Sequence, residues 1–168
     1  MIKEAIILAG GFGTRLKGLA KAIPKPMVDI NGEPFLKHLL DYITKQGINK
    51  IVLSVGYRYE VIRNYFGKSF SDAELIYSIE DEPLGTGGAV KKSMNFIVNK
   101  DILVCNGDTF FKIDLHEFNK FHINKKSKLS VALKIIKQPD RYGVVEINKE
   151  QCIKSFLGKK QKKESLVN

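Results

Sequence analysis

Apolar positions along this chain follow two periods, and each predicts an element. Ala5-Ile6-Ile7-Leu8-Ala9 is an apolar run without polar interruption, as expected of a strand buried on both faces of a parallel sheet, and Ile51 to Val55 and Ile102 to Cys105 are read as further strands of that sheet. Leu75 to Ile79 reads as another short strand. Between these runs the apolar residues recur at helical spacing. Phe35, Leu36, Leu39, Leu40 and Ile43 share one face, Lys37, Asp41 and Lys45 the other, and Gly47 closes the helix. Tyr59 to Phe66 forms a second helix with Val61, Ile62, Tyr65 and Phe66 inward and Gly67 as its stop. Val90, Met94 and Ile97 mark a third, and Leu115, Phe118 and Phe121 a fourth that begins near Asp114. Strands alternating with helices predict an α/β chain around a mostly parallel sheet.

The pattern changes further along. Leu129, Val131, Leu133 and Ile135 alternate with Ser130, Ala132 and Lys134, the period of a strand with one covered face. Pro139-Asp140-Arg141-Tyr142-Gly143 breaks it, and Val144 to Ile147 resumes extended structure until Asn148-Lys149 turns the chain. Near the N-terminus, Met27 to Ile30 is short and extended, Asn31-Gly32 is a turn signal, and Pro34 suits the first turn of a helix.

Composition narrows the class. With 168 residues, 43% hydrophobic and 27% charged, the chain fits one soluble globular domain. No apolar run approaches the ~20 residues needed to span a bilayer, and the N-terminus enters directly into a strand, so the expected location is cytoplasmic, with no membrane partner. Cys105 and Cys152 lack the spacing of a metal knuckle and are expected to be reduced; His38, His116 and His122 show no ligand spacing. The net charge of +10 raises the question of nucleic acid. The lysines are dispersed, however, and no recognition helix accompanies them, so no nucleic-acid partner is expected. Polyanionic small substrates would gain the same electrostatic steering.

The densest chemistry lies between Ala5 and Pro26. Gly10, Gly11 and Gly13 remove Cβ atoms where the first strand ends, so several backbone N–H groups can point at one anion. Arg15 and Lys25 add two cations, and Pro24 and Pro26 stiffen the backbone beside Lys25. Such a loop suits a triphosphate. Leu16 stands where a dinucleotide fingerprint needs a small residue, and no Gly-Lys-Ser or Gly-Lys-Thr occurs, so neither a dinucleotide fold nor a P-loop is indicated.

Gly10-Gly11-Phe12-Gly13-Thr14-Arg15-Leu16 followed by Pro24-Lys25-Pro26 resembles the signature of the sugar-1-phosphate nucleotidyltransferases. Two further motifs match that family. Glu80-Asp81-Glu82-Pro83-Leu84-Gly85-Thr86-Gly87-Gly88-Ala89 resembles the loop that borders base and sugar, and Asn106-Gly107-Asp108 resembles the turn whose aspartate holds magnesium. Within the family, Gly10 to Asp108 is most similar to the manno-heptose 1-phosphate guanylyltransferases that feed surface-polysaccharide synthesis, with mannose- and glucose-1-phosphate enzymes next.

The resemblance implies a Rossmann-like three-layer αβα nucleotide-diphospho-sugar transferase fold. It implies a single domain over residues 1–168, with a nucleotide-binding part of about 1–110 and an incomplete sugar-binding part of about 111–168. The implied partners are a nucleoside triphosphate, GTP first, and a sugar 1-phosphate. Arg15, Lys25 and Asp108 are the implied catalytic residues, with Asp108 holding Mg2+. The implied nucleotide contacts are Leu8, Ala9, Gly10, Gly11, Gly13, Thr14, Arg15, Glu80, Glu82, Pro83, Gly85 and Thr86, and a carboxylate at position 80 or 82 favours guanine because it accepts from N1–H and N2–H. The implied sugar contacts are Asn106, Gly107, Tyr142, Gly143, Lys159 and Asn168. One departure stands out: where the family places glutamate and lysine after Ser155-Phe156-Leu157, this sequence has Gly158 and Lys159. The family's later segments are missing after Asn168, which implies a C-terminally truncated form with exposed apolar surface, lower stability, or a homo-oligomer that covers it. A nucleotide-binding but catalytically impaired relative is the alternative reading.

Overall fold

The computed structural model describes residues 1–11, 23–137, 143–157 and 164–167. The chain divides into two compact units, Met1–His116 and Glu117–Asn168.

The first unit opens with β1 (Glu4–Leu8), then a 3-10 turn (Lys25–Met27) and a small hairpin of β2 (Asp29–Ile30) and β3 (Glu33–Pro34). The hairpin turns at Asn31 and Gly32, both with positive φ, the pairing that two-residue hairpins favour. Then follow α1 (Phe35–Thr44), β4 (Lys50–Val55), α2 (Tyr59–Phe66), β5 (Ser69–Phe70), β6 (Ala73–Ile79), α3 (Gly85–Ser93), a second 3-10 turn (Met94–Phe96) and β7 (Leu103–Asn106). They build a five-stranded sheet in the order β5-β6-β4-β1-β7, parallel except for β5.

Side-chain alternation explains the layers. Ala5, Ile7 and Ala9, Ile51, Leu53 and Val55, and Ala73 and Leu75 form one buried cluster with Leu36, Leu39, Leu40 and Ile43 of α1 and Ile62 and Phe66 of α2. Ile6, Val52 and Ser54 are equally buried but project to the opposite face, where α3 packs on β1 and β4. The sheet is therefore covered on both sides, in three αβα layers. The second face is the more polar one, and the Ser78 and Ser93 hydroxyls are buried there without a hydrogen-bond partner among the described residues.

The boundary between the units falls within α4 (Leu115–Asn124), whose N-terminus is capped by Asp114 accepting from the His116 N–H at 2.8 Å. The second unit carries β8 (Lys134–Lys137), β9 (Val144–Ile147), β10 (Ile153–Leu157) and β11 (Glu164–Val167), in the order β10-β9-β11-β8. Val144, Val145 and Val167 are buried, whereas Leu129, Ile135 and Phe156 stand well exposed.

Two expectations shift. The third helix buries Ala89 and Ser93, one turn apart, rather than Val90, Met94 and Ile97; the α-helix stops at Ser93, so Met94 and Ile97 fall in and just after a tighter 3-10 turn that no longer keeps the helical phase. The strand expected from Leu129 starts only at Lys134, since its ladder with β11 covers Lys134 to Lys137 and no further among the described residues. Neither cysteine is in a disulfide. No helix among the described residues is long and apolar enough to cross a membrane.

Candidate functional site

β4 and β6 lie to one side of β1 and β7 to the other, so the chain reverses direction at β1 and leaves a crevice at the carboxyl ends of β1 and β7. Ligands bind at such switch points in open α/β sheets because the diverging loops leave the strand ends uncovered. The last ladder bond there runs from the Ala9 N–H to Ser54 O at 2.7 Å, after which the chain leaves the sheet as Gly10-Gly11.

The β1 and β7 tips are fitted together through glycine. The Gly107 N–H donates to Leu8 O at 2.8 Å. A Cβ on Gly107 would lie 3.1 Å from Leu8 O and 3.2 Å from both Ala9 Cβ and Ile7 Cγ2. That closeness fixes Asp108 beside the glycine loop. The segment after Asp108 is fastened to α1: the Tyr42 hydroxyl donates to Ile113 O at 2.6 Å and accepts from the Ile113 N–H at 2.7 Å, and Gln46 Oε1 accepts from the Leu115 N–H at 2.8 Å.

Lys25 reaches the same place from the 3-10 turn. Pro26 and Met27 are buried, which turns the lysine outward, and its ammonium donates to Asp108 Oδ2. Asp108 Oδ1 accepts from the Thr109 hydroxyl at 3.3 Å. Cation and carboxylate are thus brought together from positions 83 apart.

Beside this crevice lies a cavity of about 300 Å³ at the ends of β1, β4 and β6, lined by Gly10, Gly56, Tyr57, Arg58, Glu80 and Glu82 among others. Glu80 is fixed at its wall. Its Oε1 accepts from the Ser54 hydroxyl at 2.7 Å, its Oε2 from the Leu84 N–H at 3.2 Å, and its own N–H donates to Val55 O at 2.7 Å. Gly10 has no Cβ to push against that carboxylate, which would stand 3.1 Å away. Each oxygen of Glu80 keeps a further lone pair for a ligand donor. Lys92 holds the following loop by donating to Ile79 O and pairing with Asp81 at 3.9 Å. Gly85 turns it with φ +67°, a left-handed conformation that costs glycine little. Pro83, Gly85 and Thr86 are exposed around it.

Of the expected site residues, Leu8, Ala9, Gly10, Gly11, Lys25, Glu80, Glu82, Pro83, Gly85, Thr86, Asn106, Gly107 and Asp108 all belong to the carboxyl edge of the first unit's sheet. Gly143 belongs to the second unit, one residue before β9. Gly13, Thr14, Arg15, Tyr142, Lys159 and Asn168 lie outside the described residues. Ser54 and the Gly56-Tyr57-Arg58 loop were missed by the sequence. The signal was there in Gly56 directly after a buried parallel strand, because every such strand end faces the same edge.

The chemistry of the donor set fits a magnesium ion. A small hard cation is held through one or two carboxylates plus substrate phosphates and water rather than by a protein cage. Asp108 offers a partly exposed carboxylate at the mouth of the crevice, and no cluster of three or more acidic, cysteine or histidine side chains occurs among the described residues.

Comparison with known proteins identifies the family. The chain is 49% identical over 165 residues to a D-glycero-alpha-D-manno-heptose 1-phosphate guanylyltransferase of Campylobacter jejuni, covering 98% of this chain and 72% of that one. It is 42% identical to the enzyme of the same name from Aneurinibacillus thermoaerophilus, covering 98% and 71%. Among solved structures it superposes on HddC from Yersinia pseudotuberculosis, crystallised in complex with GMP-PN, with TM-score 0.84 and 35% identity over 99% of this chain and 74% of that one. A UDP-glucose pyrophosphorylase complexed with UDP-glucose shares the fold with TM-score 0.80 at 18% identity, over 100% of this chain and 75% of that one. Residues 4–168 match the model of the nucleotidyl transferases. The crevice between β1 and β7 and the carboxylate-walled cavity next to it are accordingly those of an enzyme of the nucleotidyl transferase family, to which this chain belongs.

Proposed function

We propose that the chain transfers a guanosine monophosphate unit from GTP to a manno-heptose 1-phosphate, giving a GDP-heptose and pyrophosphate for surface-polysaccharide synthesis. The observation that carries this reading is the pairing of Lys25 with Asp108 at the sheet's switch point, beside a cavity whose wall holds an oriented carboxylate. The guanylyltransferase relatives support the choice of nucleotide and sugar.

The nucleobase enters the cavity, where Glu80, oriented by Ser54 and Leu84, accepts from guanine N1–H and N2–H, with Glu82 at the same wall. The triphosphate extends over Gly10 and Gly11 into the crevice. A phosphate oxygen of the sugar 1-phosphate attacks the α-phosphorus, the bond from that phosphorus to the bridging oxygen breaks, and pyrophosphate departs with the electron pair. The nucleophile is largely ionised at neutral pH, so the protein needs to position and neutralise rather than remove a proton. Lys25 leaves Asp108 to neutralise the α-phosphate and the incoming phosphate. Asp108 is then the residue that would hold magnesium, which would supply positive charge to offset that of the phosphates. Arg15 takes the pyrophosphate by its bidentate fork, on the strength of the motif it stands in. Asn106 and Gly107 at the β7 tip, and Tyr142, Gly143, Lys159 and Asn168, are assigned to the sugar on the same ground.

Pyrophosphate release is measured with GTP, ATP, UTP and dTTP against heptose, mannose and glucose 1-phosphates in magnesium. Fastest release from GTP with the heptose phosphate is the expected result, and equal release from UTP sinks the base assignment. Binding of GTP without any release would favour the impaired relative suggested by Gly158.

A further inference from the structure

We infer that Arg58 is a specificity-determining residue of the nucleobase cavity, donating from its guanidinium to the O6 and N7 acceptors of guanine while Glu80 accepts from the opposite side of the ring. This rests on the nucleotide reading given above and adds the residue that selects the base.

Three observations lead there. Arg58 has φ 52° and ψ 37°, a left-handed conformation rare for a side chain of its kind, at the N-cap of α2, where it makes no capping hydrogen bond through its side chain. Asparagine or glycine would occupy that position at lower cost, and strained residues of this sort gather where a ligand is gripped. Its guanidinium lies over the Tyr57 ring, 5.5 Å from the centroid, and both residues line the cavity. The ring gives a planar fork a ledge to rest on.

Charge supplies the decisive step. Glu60, Glu80, Asp81 and Glu82 also line this cavity, and Arg58 is the one cation among its described lining residues. Carboxylates satisfy the N1–H and N2–H donors of guanine, but they repel O6 and N7, which would be stripped of water without a donor in return. A guanidinium is the side chain whose geometry meets O6 and N7 together. Adenine presents an amino group in place of O6, so the same arginine disfavours it.

The test uses the whole chain and titration calorimetry with GTP, UTP and 7-deaza-GTP, which differs from GTP only in lacking N7. Arg58→Asn removes the guanidinium and keeps a residue that tolerates the left-handed backbone; Arg58→Gly serves the same purpose if the asparagine protein melts early. The wild type is expected to bind 7-deaza-GTP on the order of tenfold more weakly than GTP, as for loss of one charged hydrogen bond. The variant is expected to bind GTP and 7-deaza-GTP alike, both at or below the wild type's level for 7-deaza-GTP. A wild type that prefers GTP to UTP but accepts 7-deaza-GTP equally overturns the role of Arg58, and so does a variant that keeps the wild-type ratio. A wild type that binds GTP and UTP alike overturns the nucleotide assignment itself, whatever Arg58 does.

Discussion

Lys25 and Asp108 form an ion pair at the carboxyl ends of β1 and β7, although the lysine belongs to a turn fixed by Pro26 and Met27 and the aspartate to a turn fixed by Gly107. Both side chains are about a third or more exposed. An exposed pair of this kind adds about 0–1 kcal/mol to stability, so its value lies in what it keeps ready at the crevice. Asp108→Asn is expected to lower turnover about 100- to 1,000-fold, as when another preorganised charge contact is lost. It should also raise the magnesium concentration needed for half-maximal rate and leave the melting temperature nearly unchanged. Steady-state kinetics over a magnesium series and a thermal melt check this. Unaltered turnover would remove Asp108 from the mechanism.

Gly107→Ala is expected to destabilise the fold, because the added Cβ would meet backbone oxygen and buried side chains of β1 at 3.1 to 3.2 Å. Overpacking of this kind costs about 1–3 kcal/mol. Gly143→Ala is its control: among the described residues the nearest atom to that Cβ is Leu157 O at 3.8 Å, an ordinary contact. Urea melts of the two variants should separate clearly, the first losing stability and the second staying within about 0.5 kcal/mol of wild type.

Ser54→Ala addresses Glu80. The hydroxyl is fully buried in the sheet and donates to Glu80 Oε1 at 2.7 Å, so its removal frees the carboxylate to rotate away from the cavity. The GTP dissociation constant is expected to rise about fivefold, the equivalent of one hydrogen bond of about 1 kcal/mol. UTP affinity should hardly change. Calorimetry on both nucleotides decides it, and a proportional loss for both would mean that Ser54 serves the fold rather than the base.

Glu4 gives the stability a dependence on acid. It is buried at the amino end of β1, where burial pushes its carboxyl up. The Asn99 and Val98 N–H groups and the Lys50 ammonium at 3.3 Å outweigh that and hold it below the ordinary glutamate value of 4.5. A carboxyl lowered by folding contributes stability that is present above 4.5 and is lost as the pH falls through the native value. Glu4→Ala should therefore cost about 1–3 kcal/mol at pH 7, with the gap to wild type narrowing as the medium is made more acidic than that. Denaturant titrations at pH 7 and at pH values below 4.5 test the sign; a gap that widens in acid contradicts it.

Hydrophobic periodicity by itself determined the strands at β1, β4, β6, β7 and β9 and helices α1, α2 and α4, because burial on one stripe or on both faces leaves a local trace in the letters. Gly10, Gly11, Lys25, Glu80 and Asp108 were also legible as candidate site residues, since their motifs are contiguous. Tertiary structure alone decided that β7 joins β1 on the side away from β4, and with it that Lys25 meets Asp108. It alone set the start of β8 at Lys134, where pairing with a strand some thirty residues later begins, and it alone brought Ser54 and Arg58 to the cavity. The reason is common to all of these. Sheet order, register and the facing of loops from different strands depend on contacts between residues far apart in the chain, and no short window of sequence records which distant partner a residue will meet.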